Sequence, residues 1–273
     1  VRAGLQRMLK YFGVAGVLVF TLFPVYLMVV TGLNGEANAG SRSLWPSDWT
    51  LDNFAYVIGE GGFGRFLLNS LVVALGTVLA GAVLALLASV AVARFHFRFR
   101  TSVLVMILII QMVPVEALVI PLFIQARNFQ MLDTLLGLVV VYLAFSLPFA
   151  IWTLRGFVAA VPVELEEAAY LDGASWGRMF RSVLLPLVAP GLVATSVFSF
   201  IVAWNEFIFA LTFMSDDQNY TVAVGLRRFF GQHATDWGSV MAASTLITIP
   251  VMVFFVIAQK RLTDGLVAGA VKG

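Results

Sequence analysis

Residues 164–186 read ELEEAAYLDGASWGRMFRSVLLP and gather Glu164, Glu166, Glu167 and Asp172 ahead of Arg178 and Arg181. Only 12% of the chain is charged, against roughly 25% in soluble domains, so this cluster is where chemistry is first to be sought. On a helix, Leu165, Ala168 and Ala169 share one face, while Glu164, Glu166 and Glu167 occupy the remainder. Pro162 suits a helix start, the acids favour its first turn, and Asp172-Gly173 suits a stop or sharp bend. A second short helix is expected from Ser175, with Pro186 opening the next apolar run. Helices that lie on lipid usually carry Lys and Arg, and anionic headgroups repel glutamate. A small-faced acidic helix is better suited to a groove in a protein partner.

Two further acids, Glu116 in QMVPVEALVIP and Glu206 in AWNEFIF, fall at membrane depth. Charges there are expensive and face a cavity or a partner. Asn205 adds a donor and an acceptor beside Glu206, the chemistry that sugar hydroxyls need. Asn205, Glu206 and Glu116 are therefore candidates for a solute path; the alternatives are that both acids are protonated or hydrogen-bonded between helices, or that Glu206 lies near the outer end of its span. Nothing suggests catalysis, since no metal signature, nucleophile elbow or acid–base cluster appears. His96 and His233 lie far apart and are not read as a metal pair, and the absence of cysteine excludes disulfides and thiolate sites. A phosphate-binding loop needs Gly-Lys, and none of Lys10, Lys260 and Lys272 follows a glycine. No cofactor is expected in this chain, and its scattered basic residues, with a net charge of +2, point to no nucleic acid.

The elements that must hold these residues are apolar. With 60% hydrophobic residues and a mean hydropathy of +0.95, the chain divides into blocks of about 20 residues, enough for a helix to cross the hydrocarbon core. Continuous runs without alternation exclude a barrel and leave an all-α integral membrane protein. Six spans are expected, at about 11–32, 67–93, 102–125, 134–155, 187–212 and 239–258, the first a retained anchor. With both termini cytoplasmic, the inner segments hold Arg2, Arg7, Lys10, Arg94, Arg98, Arg100, Arg155, Arg178, Arg181, Lys260, Arg261 and Lys272, and the outer ones only Arg42, Arg65, Arg127, Arg227 and Arg228. That asymmetry fits the positive-inside rule and puts the acidic loop, residues 162–186, in the cytoplasm. Pro114, Pro121 and Pro148 fall within spans and should bend them. Thr77, Gly81, Ala85, Ser89 and Ala93 recur every fourth residue, a small face for close helix packing inside the subunit or against another. The longer outer stretches, residues 33–65 and 213–238, carry Trp45, Trp49 and Trp237, which suit the membrane interface.

Glu167-Ala168-Ala169, three residues, Gly173, nine residues, then Val183-Leu184-Leu185-Pro186 resembles the EAA loop of bacterial ATP-binding cassette importer permeases, with valine in place of the usual isoleucine. LWPSDWTLDNF, FLLNSLVVA, AWNEFIFAL, YTVAVGL and the ending GLVAGAVKG extend the resemblance to carbohydrate-uptake permeases similar to the smaller maltose-transporter subunit. The resemblance implies one transmembrane permease domain over residues 1–273, with residues 162–186 as its coupling loop. It implies that Glu164 and Glu167 face an ATPase subunit, Ala168 and Ala169 permit close docking, Gly173 makes the bend, and Leu185 and Pro186 complete the segment. ATP and magnesium would sit on that ATPase dimer, toward which residues 269–273 would reach. The other implied partners are a second six-helix permease, membrane lipid, and an extracytoplasmic binding protein met by Tyr220, Gly225 and Arg227. The implied setting is the bacterial inner membrane and the implied solute a carbohydrate, with a polyol or glycerol phosphodiester as the alternative. A proton-coupled secondary transporter using Glu116 and Glu206 is the competing class, but the inverted repeats common in that class are not seen.

Overall fold

The computed structural model describes the backbone of residues 2–35, 44–46, 48–231 and 235–270, and the side chains of residues 6–35, 44–46, 48–231 and 235–259. His233 and residues 271–273 of the expected coupling tail lie outside the described residues. Among the described residues twelve α-helices follow in order: α1 (Arg2–Gly32), α2 (Asp52–Ile58), α3 (Phe63–Arg94), α4 (Arg100–Ile110), α5 (Val119–Asn128), α6 (Leu135–Ala160), α7 (Val163–Leu171), α8 (Trp176–Met179), α9 (Leu185–Asn205), α10 (Ile208–Phe213), α11 (Val222–Gly225) and α12 (Trp237–Ala270). Among the described residues the only extended pairings are the isolated bridges Asn34–Trp49 and Phe230–Thr235.

Among the described residues five helical runs are long and apolar enough to cross a membrane, and a sixth is obtained if one bent pair counts as a single span. That pair covers the span expected at residues 102–125, with bends expected at Pro114 and Pro121. Its arms, Arg100–Ile110 and Val115–Asn128, meet at 98°. Pro114 sits at the corner with ψ 126°; it lacks an N–H and turns its predecessor away from helix, so the break falls there. Pro121 lies in the first turn of α5, where no intrahelical donor is needed. Pro148 stays inside the unbroken α6.

The span expected at residues 187–212 is also redrawn. Helix runs without interruption from Trp176 to Asn205, stops where Glu206 adopts ψ 129°, and resumes as the separate α10.

The chain packs as two compact units, residues 1–67 with 225–250, and residues 68–224 with 251–273. In the first unit, Asn53 Nδ2 donates to the carbonyls of Gly32 at 3.0 Å and Asn34 at 3.1 Å, satisfying acceptors at the end of α1. The Phe63 ring lies 5.9 Å from those of both Phe66 and Phe229.

In the second unit, α6 packs along α9, and Phe149 meets Phe198 at 4.0 Å between ring centroids. The small-residue stripe of α3 is buried there. Thr77, Ala85 and Ser89 are inaccessible, and a side chain at Gly81 would stand 3.4 Å from Leu143 of α6. This face is used within the chain.

Candidate functional site

A helix as short as α7 is not stable alone in water, so its position is set by what it touches. The apolar cluster beneath it lies in the second unit. Ala169 is half-buried against a buried apolar cluster that includes Leu86 and Val90 of α3, Val158 of α6, and Leu184. Glu166 is buried as well. Its Oε1 accepts a hydrogen bond of 2.7 Å from Arg94 Nε, and Arg94 Nη2 donates to the Val161 carbonyl at 2.8 Å. This corrects the sequence reading, in which all three glutamates surround the apolar face. Glu164 and Glu167 are exposed, but Glu166 points into the protein. The small face divides too, with Leu165 and Ala168 outward and Ala169 inward.

Beyond the acids, Leu171 is 90% exposed and Val163, Leu165 and Tyr170 also reach the surface. The helix ends in a Schellman turn. Ala174 N–H donates to the Ala169 carbonyl at 2.9 Å and Gly173 N–H to that of Tyr170 at 3.0 Å, with Gly173 at φ +79°. A glycine is the residue this left-handed position favours.

The chain re-enters helix at Trp176, in keeping with the short helix expected from Ser175, and runs on through Pro186 without a separate span opening there. Residues Phe180–Leu184 form a π-turn in which Leu185 N–H reaches back to the Phe180 carbonyl. A proline ring collides with the carbonyl four residues before it; one extra residue in the turn relieves that collision between Pro186 and Ser182. Leu185 joins the cluster under α7, and Pro186 is exposed.

The membrane-depth acids are not brought together as one site. Glu206 Oε1 accepts the Phe209 N–H at 2.9 Å, while Oε2 accepts the Ala210 N–H at 3.1 Å and the Tyr142 hydroxyl at 2.7 Å. These bonds cap α10 and tie it to α6. Asn205 is exposed and its Nδ2 donates to its own helix, at the Ile201 carbonyl, 2.9 Å. Glu116 stands apart from this network, exposed in a 3-10 turn, Val115–Leu118, just past the corner.

The outer-loop candidates also differ among themselves. In the second unit Tyr220 is half-buried, and its carbonyl accepts from Asn69 Nδ2 at 3.0 Å. Ser70 Oγ accepts the Val222 N–H at 2.9 Å, so FLLNSLVVA holds the strand of chain that bears Tyr220. In the first unit Gly225 is buried, and a side chain there would come within 2.1 Å of the Phe66 ring. Its place is in the packing. Arg227, in the same unit, is exposed.

Sequence reasoning missed Arg94, Glu166, Tyr142, Asn69 and Ser70. Arg94 had one signal, a cation ending an apolar run, where a helix dipole favours it; its partner 72 residues away had none. Among the described residues no group of three or more His, Asp or Glu could hold a metal.

A family model described as "Binding-protein-dependent transport system inner membrane component" matches residues 81–267. The diacetylchitobiose uptake system permease protein DasC of Streptomyces coelicolor is 40% identical over 254 residues, 92% of each chain. The trehalose transport system permease protein SugB of Mycobacterium tuberculosis is 38% identical over 271 residues, 98% of this chain and 99% of that one. Among solved structures, a bacterial ABC transporter involved in import of the acidic polysaccharide alginate superposes with a TM-score of 0.79 at 19% identity, covering 95% of this chain and 98% of the other. That likeness concerns the fold; the match to the family model and the two relatives carry kinship. With its membrane-length helices, the chain belongs to the family of inner membrane components of binding-protein-dependent transport systems.

Proposed function

We propose that this chain is one of two permease subunits of an ATP-driven importer for a carbohydrate, and that α7 is its coupling helix. The observation that carries the reading is α7 itself. It presents Glu164, Glu167, Ala168 and Leu171 outward, held from behind by Arg94 and turned by Gly173. An exposed leucine among carboxylates fits a protein groove better than anionic lipid. With this face in the cytoplasm and six spans, both termini are cytoplasmic as well.

The chain is a transport subunit and not an enzyme. A separate ATPase dimer supplies ATP and magnesium binding, and an external binding protein delivers the solute. Closure of the ATPase pushes α7 and biases a two-state helix bundle between inward and outward access. Asn205 is the path residue to which this reading gives a solute contact. Glu116 is a second candidate, and Glu206 supports the path by holding α10. Tyr220 and Arg227 are each candidates to meet the binding protein. The sugar class is supported by the diacetylchitobiose and trehalose systems of the relatives.

Reconstitution tests this. Proteoliposomes holding the chain with its neighbouring permease, ATPase and binding protein should import a disaccharide probe, trehalose or diacetylchitobiose, only with ATP inside. Proton-driven uptake by the chain alone would sink the reading. Import of a glycerol phosphodiester in place of both sugars would reassign the solute. Glu167→Lys should reduce co-purification of the ATPase; wild-type recovery would argue against direct docking.

A further inference from the structure

We propose that the Arg94–Glu166 pair is the joint that passes displacement of α7 on to the long helix α3. The inference rests on the importer reading and goes beyond it by assigning transmission to two residues, Glu166 on α7 and Arg94 at the end of α3.

Three elements converge on one guanidinium. Arg94 is the last residue of α3, Val161 caps α6, and Glu166 lies in the first turn of α7. The planar fork directs one N–H to the carboxylate and another to the carbonyl, which fixes orientation as well as distance.

The other attachments of α7 are less directional. Its chain ends are Pro162 on one side and the Gly173 turn on the other, where nothing lies within 4 Å of an added side chain. Ala169 contributes a single methyl to the apolar cluster, and apolar packing has no preferred direction. A cavity of about 240 Å³, lined in part by Phe95, Val163, Tyr170 and Trp176, adjoins the pair. Apolar packing therefore sets no direction on this side of α7; Leu86 and Val90 of α3 share the cluster under Ala169, but the ion pair is the contact that carries a push to α3 with a fixed orientation.

The energetics favour a role in orientation over one in stability. The two side chains are 14% and 10% exposed. A pair so desolvated is near break-even against an apolar pair of similar shape, whereas removing one partner strands the other charge.

The test uses the complete transporter in nanodiscs. Because the chain has no cysteine, single spin labels can be placed through Asp172→Cys at the C-cap of α7 and Leu79→Cys on α3, both exposed positions. In the otherwise unchanged chain, ATP should alter both spectra. Glu166→Gln keeps the shape of the side chain; it should retain the ATPase and the α7 response while the α3 response falls by about tenfold, the scale of one coupling free energy. Arg94→Glu combined with Glu166→Arg should recover the α3 response that either reversal alone abolishes. A normal α3 response in Glu166→Gln would overturn the proposal. So would loss of both responses together, which would make the pair a docking element, or a double reversal no better than its single parents. If the unmutated chain fails to hold an ATPase at all, the importer reading fails first, a result distinguishable from a split between the two labels.

Discussion

A carboxylate that already tethers two backbone amides and a tyrosine hydroxyl has little capacity left for a passing sugar. Glu206 is in that position, and its removal should be felt as lost structure. Glu206→Ala leaves the Phe209 and Ala210 N–H groups without their cap, a loss of about 1–2 kcal/mol. Glu206→Gln keeps one acceptor oxygen and should lose less. Thermal unfolding of the purified chain in detergent checks the order; equal unfolding of all three with a changed solute preference would return Glu206 to the path. At Gly173 the constraint is conformational, because its φ of +79° disfavours a β-carbon although the surrounding space is open. Gly173→Val should strain the bend by about 1–2 kcal/mol and stop uptake, with the ATPase subunit still hydrolysing ATP in isolation. Gly173→Asn tolerates the left-handed conformation and should transport. Uptake by the Val variant at matched membrane levels and normal rate would detach the turn from coupling.

At the scale of elements, a proline can redirect a chain in two ways, and this protein uses both. Pro114 ends α4 and turns the chain through 98°, whereas Pro186 is absorbed by a π-turn inside a helix that continues to Asn205. The difference was not readable from the prolines. It depends on whether packing holds the flanking turns together, and here Met179, Leu184 and Val188 all face one buried cluster. The extra residue matters for alignment, since each residue rotates a helix by about 100°. Pro186→Ala should let the turn relax to α-helix and rotate the segment from Trp176 relative to α9. The expected outcome is equal or higher thermal stability with reduced uptake per ATP. Unchanged coupling, measured as solute imported per ATP hydrolysed, would show that the π-turn has no part in the stroke.

For the molecule as a whole, the sidedness given by the basic residues can be checked directly. With no native cysteine to interfere, Ser175→Cys and Glu60→Cys, both exposed, should react with an impermeant maleimide from opposite sides of the membrane. Labelling of both from one side would overturn the six-span topology. Composition and run length by themselves determined that this is a helical membrane protein, because apolar runs of bilayer length have few other solutions. The acidic motif and its bend were equally local, set by residues within one loop, and the family resemblance was carried by short motifs along the chain. Tertiary structure decided what local pattern cannot carry. A helix that is apolar all round does not announce which face meets protein and which meets lipid, so only packing showed that the α3 stripe lies against α6. Nor could spacing show that Glu166 turns inward to Arg94 while Glu164 and Glu167 stay out, or that Glu206 is held by Tyr142. Those assignments depend on charges and hydroxyls from distant parts of the chain meeting in a space where an unpaired charge is too expensive to leave.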